Sequence, residues 1–369
     1  MRTKVIKFKF IILLLVVCLI GGIYYLNNSF NFRFKEISFR DLKLVKELKL
    51  SNLDRFNSNN YYILGVNNDE VYFFEDKSLG VTKYDGIEVE KIVLSMFTYN
   101  LNTQKLEKQY SMLEPMYTDY LDKVGNKFVV IYTNDKNELE FLFVDDNKNL
   151  KVKKIDNVDK LRVKNYGDNI IINYDKIENN IIYDKILLIN TNDLKFKEIA
   201  SLSQNVNNKV LNSFSGITFV NGNLYYQKLQ KEGNKIKDVE TYEYNIIKNS
   251  TENLDFKIPY KSFCKFNDMY VYNLIRETPS EIGMYIKYNG KEYEIPNGES
   301  GGNLGYFEKN NKLYMIWGKG FYFLSKNGKL EFLPIDYENN NLRCRLSFED
   351  EFDIYEYNYD TKILRLYKK

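Results

Sequence analysis

The sequence predicts an all-β domain held behind a single N-terminal membrane-spanning helix. Three observations carry this. An uncharged apolar run follows a purely basic N-terminus. From residue 61 onward, short Tyr-, Phe-, Ile- and Val-rich runs alternate with Asn, Asp and Gly. A two-strand pattern then returns about every 43 residues.

The apolar run is Phe10 to Leu26, 17 residues without a charge. At a rise of 1.5 Å per residue it makes about 25 Å of helix, close to the shortest span of a hydrocarbon layer. Lys7 and Lys9 can snorkel at one end, and Tyr24 and Tyr25 suit the opposite interface. Arg2, Lys4, Lys7 and Lys9 precede the run with no acidic residue, which places residues 1–9 in the cytoplasm and everything after the span outside it. A cleaved signal peptide fits less well, because no A-x-A-like site follows. Lipidation of Cys18 fits less well too: Val17 stands where the bacterial lipoprotein pattern has a small residue. The expected organisation is a cytoplasmic tail (1–9), a signal anchor (10–26), a juxtamembrane stalk (27–54) and an extracytoplasmic domain (55–369).

Within the stalk, Ser38-x-x-Asp41 ahead of Leu42 fits a helix-start pattern, and Leu42, Val45 and Leu48 recur three apart. A short helix is expected there. The rival is a strand over Glu36 to Arg40 that joins the main domain.

The next elements read as strands: YYILGV (61–66), VYFFED (71–76), KFVVIY (127–132), NLYYQKL (223–229), MYVYNL (269–274) and KLYMIW (312–317). All have strand length and composition, bounded by turn residues. Long helical periodicity is absent except around Gln104 to Tyr120, which Pro115 interrupts. One hairpin pattern recurs: an apolar strand, an Asn/Asp-rich turn, then a Lys-rich alternating strand. The last apolar residue before each turn is Tyr99, Val144, Ile189, Tyr244, Tyr288, Leu324 or Tyr357, at intervals of 45, 45, 55, 44, 36 and 33 residues. A period of 40–50 residues is that of a four-stranded propeller blade. Such a sheet cannot bury both faces alone, and radial packing supplies the missing partners. The expected fold is therefore a β-propeller of seven four-stranded blades over 55–369. The two short final intervals also admit six or eight.

Two turn phrases, Tyr99-Asn100-Leu101-Asn102-Thr103-Gln104-Lys105 and Tyr357-Asn358-Tyr359-Asp360-Thr361-Lys362, resemble outer-strand hairpins of the broad β-propeller superfamily, in its TolB-like and quinoprotein-like repeats. No WD dipeptide, YWTD motif or regular Gly-Gly doublet narrows the resemblance. It implies a ring with a central channel and a binding surface at one end, and it implies no reaction.

Composition sets the chemical limits. The chain has no histidine, which removes Ser-His-Asp and Cys-His catalysis and every His-ligated metal site. Cys264 and Cys344 are far apart with no CxxC, and read as half-buried free thiols. The net charge is +3 and residues 1–9 carry +4, so the remainder is close to neutral and offers no basic face for nucleic acid.

Four local patterns point to chemistry, and each has a plainer explanation. Ser262-Phe263-Cys264-Lys265 matches S-x-x-K, but the pair needs a helical turn and this stretch reads as strand. Asp145-x-Asn147-x-Asn149 resembles the start of a calcium loop, yet Leu150 replaces the glycine and Asp156 the distal glutamate; a hairpin turn accounts for it. The glycine-rich stretch 297–305 lacks the GK[ST] of a phosphate loop and reads as an inter-blade connection. Such loops form binding faces, so Gly301, Gly302 and Asn303, with Glu308 beyond them, are the candidate ligand contacts. Glu308, Glu349, Asp350 and Glu351 near inner-strand ends are the carboxylates that could serve a glycosidase-like site.

The expected function is a membrane-anchored binding or scaffolding module for a protein or cell-envelope ligand, with no cofactor, metal or nucleic acid. The alternatives are a carboxylate-dependent hydrolase with its site at the channel and the sensory ectodomain of a membrane signalling complex. Fold does not decide among them.

Overall fold

The structure, a computed structural model, describes residues 30–369 with breaks at 51–52, 54–60, 85–86, 114–116, 135–137, 146, 157, 159, 234, 275–282, 297–304, 319, 337–340 and 348. The expected anchor (10–26), Cys18 and the cytoplasmic tail lie outside the described residues. Among the described residues no helix is long and apolar enough to cross a membrane.

Seven sheets follow one another along the chain as the blades of a propeller, six of them four-stranded and one carrying a fifth strand. The innermost strands are Tyr61–Val66, Tyr117–Val124, Lys160–Tyr166, Val210–Val220, Tyr260–Phe266, Gly305–Lys309 and Leu342–Leu346. The runs read as strands in the sequence sit where they were expected: 61–66, 269–274 and 312–317 coincide with observed strands.

The residue pattern explains why the second blade has apolar central strands and a Lys-rich outer one. Central strands are covered on both faces, so their runs are continuously apolar. In the strand Lys127–Thr133, Phe128, Val129, Val130 and Ile131 are all at most 1% exposed. Phe128 and Val130 pack on Leu64, Tyr72 and Met96 of the first blade. Val129 and Ile131 point the other way, onto Ile170, Ile172 and Ile189 of the third. Each such side chain contributes about 1.5–3 kcal/mol by burial. The outer strand Leu150–Asp156 is open to water on both faces over residues 150–154, which suits Lys151, Lys153 and Lys154 and leaves Leu150 and Val152 exposed as well.

One blade-to-blade contact depends on a glycine. Gly216, at φ +63 within the irregularity between Ser215 and Thr218, has the Tyr260 ring 2.3 Å from where a Cβ would sit. Only glycine allows both the left-handed backbone and that approach.

Residues 33–49 depart from the expected stalk. Strand Arg33–Glu36 lies parallel to the sixth blade's outer strand Lys329–Pro334, as its fifth member. Ser38 donates from its backbone N–H and its hydroxyl to Asp41, at 2.8 and 3.0 Å, but this start signal opens only a single 3-10 turn, Phe39–Asp41. Strand Lys43–Lys49 then pairs antiparallel with Ile363–Lys368 and is the outermost strand of the seventh blade. The N-terminal segment thus closes the ring, with Ile37 and Leu42 buried against the last two blades. The expected helix does not form. In its place, pairing satisfies the backbone while Ile37 and Leu42 still reach the core. The folded domain accordingly begins at strand Arg33–Glu36, ahead of residue 55.

This closure corrects one hairpin. Tyr99 does stand before a turn between the third and outermost strands of its blade. Tyr357 stands before the turn between the second and third strands of the last blade, because its outermost strand comes from the N-terminus. That substitution shortens the final interval to 33 residues.

Antiparallel alternation gathers two families of turns at one end of the ring. The turns after the innermost strands touch those before the outermost strands: Leu101 N–H donates to the Asp69 carbonyl (2.6 Å), and Thr191 N–H to that of Asp168 (2.8 Å).

Candidate functional site

The innermost strands enclose a channel, and toward the turn end it widens into a cavity of about 630 Å³. Its wall includes the second halves of the first three inner strands (Leu64 to Val66, Asp122 and Lys123, Lys164 and Asn165) together with Thr218, Phe219, Tyr306 and Arg343 to Leu346. Exposed Gly125, Gly167 and Asp168 form part of its rim, so it opens at that end.

The charged groups inside come from different blades. Arg345, on the seventh, donates through one guanidinium nitrogen to the Leu64 carbonyl of the first blade at 2.7 Å. Its nearest carboxylate is Asp122 of the second blade, 4.0 Å away; the two side chains are 33% and 21% exposed. Asp122 accepts the Lys123 backbone N–H at 2.8 Å and the Asn165 amide at 3.3 Å. Burial nevertheless raises the Asp122 carboxyl above its usual range, against the pull of Arg345. Lys164, on the third blade, donates to the Ile217 carbonyl at 2.6 Å, and burial brings its ammonium down to about 8, with Arg162 adding to the effect. Tyr355 pairs directly with Arg345 across the strands, so both project from the same face of the sheet. Tyr355 is 2% exposed, lines the same cavity, and its hydroxyl has no hydrogen-bond partner among the described residues. At the rim, burial raises Glu349, with Glu351 adding to the shift.

Of the residues expected to contact ligand, Glu308 falls among the described residues. Gly301, Gly302 and Asn303 lie outside the described residues. Glu308 sits on the sixth inner strand, half-buried, and accepts from the Asn221 amide of the fourth blade at 3.1 Å. Burial raises its carboxyl and the Asn221 bond opposes the shift. Glu349 does line the cavity.

The other patterns resolve structurally. Ser262 lies on strand Tyr260–Phe266, where its hydroxyl donates to Asn273 at 2.9 Å; with Lys265 three positions on in an extended strand, the two project from opposite faces. Asp145 accepts the backbone N–H of Asn147 and Asn149 at 3.0 and 2.8 Å, and the Asn149 amide with these bonds holds its carboxyl below the usual range. Those are the bonds of a hairpin turn. Among the described residues no group of three or more acidic or cysteine side chains could hold a metal. Cys264 and Cys344 are free and buried, and burial raises both thiols.

Sequence reasoning missed Arg345, Asp122, Lys164 and Tyr355. One signal was present: two of the chain's nine arginines stand two apart in Leu342-Arg343-Cys344-Arg345-Leu346, in a chain whose basic residues are mostly lysine.

No family model matches the chain, and no curated protein matches it. Among solved structures, it is similar to an acylaminoacyl peptidase from Pyrococcus horikoshii, with a TM-score of 0.46 and 10% identity over 81% of this chain and 50% of that one. The chain thus spans half the length of that peptidase. It is similar to the β-propeller domain of the Trilobed protease from Pyrococcus furiosus, with a TM-score of 0.46 and 12% identity over 84% and 94%. It also matches TolB from Acinetobacter baumannii, with a TM-score of 0.30 and 9% identity over 64% and 58%. These are likenesses of fold. The ring topology itself rests on the strand pairing.

Proposed function

We propose that this chain is a single-pass membrane protein that holds a β-propeller binding module outside the cytoplasm, with its ligand site at the channel mouth. The supporting observation is where the chain enters the ring. Asn31 and Arg33 N–H donate to the carbonyls of Asn327 and Gly328 at 2.7 and 3.1 Å, and Phe30 stacks on Tyr288, all at the turn end. The cavity opens at that same end. Only residues 27–29 separate the apolar run from Phe30, and four extended steps of chain reach about 14 Å at most. An anchor at 10–26 therefore holds the channel mouth toward the membrane, where a cell-envelope ligand or a membrane partner would meet it.

The test is labelling of intact cells with a membrane-impermeant maleimide. The native Cys264 and Cys344 are buried, so Lys195→Cys, on a turn-end side chain that is 82% exposed, supplies the reactive thiol. Labelling without permeabilisation, with the protein in the membrane fraction, is expected. Labelling only after lysis, or recovery in the soluble fraction, overturns the reading.

A further inference from the structure

We propose that the cavity contains a small-anion subsite in which Arg345 binds a carboxylate or phosphate group and the Tyr355 hydroxyl donates to it, while Lys164 engages the same ligand from across the channel. This deepens the binding-module reading and rests on it for the cavity's role.

The argument is one of unused hydrogen-bonding capacity. A half-buried arginine ordinarily spends its five donors on carboxylates and carbonyls. Among the described residues Arg345 makes one hydrogen bond, to a backbone carbonyl, and its nearest carboxylate stands at 4.0 Å. Lys164 likewise makes a single bond among the described residues, to a carbonyl, which orients its ammonium without neutralising it. Tyr355 adds a buried hydroxyl with no partner. All three line one cavity. They come from the third and seventh blades, so a ligand engaging them spans the channel.

The charge balance agrees. Cavity-lining cations are Lys123, Lys164, Arg343 and Arg345, against Asp122, Asp168 and Glu349. Asp122 is the resting neighbour of Arg345, and its separation leaves the guanidinium fork open to a bidentate oxyanion. About 630 Å³ accommodates a sugar-sized body bearing the anionic group.

The experiment is isothermal titration calorimetry on the full chain in non-ionic detergent at constant ionic strength. The probes are sodium phosphate and sodium glucuronate, with glucose as the neutral control. Saturable binding of either anion and none of glucose is expected. Arg345→Gln and Lys164→Gln should each weaken binding at least tenfold, and Tyr355→Phe by a smaller factor. Lys195→Gln, on the exposed turn surface, should leave it unchanged. Should Arg345→Gln fail to fold by circular dichroism, Lys164→Gln and Tyr355→Phe decide the matter. Heats no different from chloride, or binding that survives both Lys164→Gln and Tyr355→Phe, overturn the subsite. Either result leaves the membrane topology and the binding-module reading to the cell-labelling experiment, so the two fail separately.

Discussion

Removing the Lys309 ammonium should loosen the cavity rim. This group lies 2.7 Å from the Asp353 carboxylate, with side-chain exposures of 7% and 1%. It also donates to the carbonyls of Phe352, at 2.8 Å, and Glu349. One ammonium at the end of the sixth inner strand thereby fastens the loop after the seventh, the loop that brings Ser347 and Glu349 to the cavity. Lys309→Met keeps the apolar stem but strands Asp353 as a buried anion without a countercharge, held by the Lys369 backbone N–H at 2.7 Å and the Tyr314 hydroxyl. Removing one partner of a buried pair costs about 3–5 kcal/mol, most of it the uncompensated charge. Urea unfolding of the full chain, followed by tyrosine fluorescence, should show that loss at pH 7. Adding Asp353→Asn removes the stranded charge while keeping an acceptor for Lys369, so the double variant should recover about 2 kcal/mol relative to the single. A loss below about 1 kcal/mol for Lys309→Met, as for an exposed pair, would refute the reasoning. So would a double variant whose loss equals the sum of the two single losses.

Two further expectations concern the joints between blades. Asp184 is 3% exposed and accepts from the Asn173 amide and from the Phe214 backbone N–H, both at 2.6 Å, tying the third blade to the fourth. Burial pushes its carboxyl up to about 6 from the usual 3.8, against the Phe214 bond. The folded state thus holds the extra proton between those values, so its contribution is fully present below about pH 4 and is lost as pH rises through about 6. The change is on the order of 3 kcal/mol. Unfolding free energies measured from pH 4 to 7 should carry this downward component, and Asp184→Asn should remove it; an identical pH profile in the variant would contradict the assignment. Gly216→Ala places a Cβ 2.3 Å from the Tyr260 ring at φ +63 and should cost about 2 kcal/mol or more in the same urea assay. A neutral substitution would mean that the joint between the fourth and fifth blades yields easily.

The sequence by itself determined the strands, their order and the blade period. A strand buried on both faces must be continuously apolar, as in Phe128 to Ile131, and an outermost strand open to water can carry charge, as at Lys151, Lys153 and Lys154. Those are local demands, and local sequence records them. The ring closure was less legible. Strand Lys43–Lys49 has a pairing shift between Leu44 and Lys46, which breaks the period of two and leaves Leu42, Val45 and Leu48 spaced like one face of a helix. Its partner strand begins at Ile363, so only folding brings the two together. The cavity was hidden for the same reason. Asp122, Lys164 and Arg345 are unremarkable charges on separate strands, and their lining one cavity depends on the curvature of seven packed blades, which no spacing in the chain encodes.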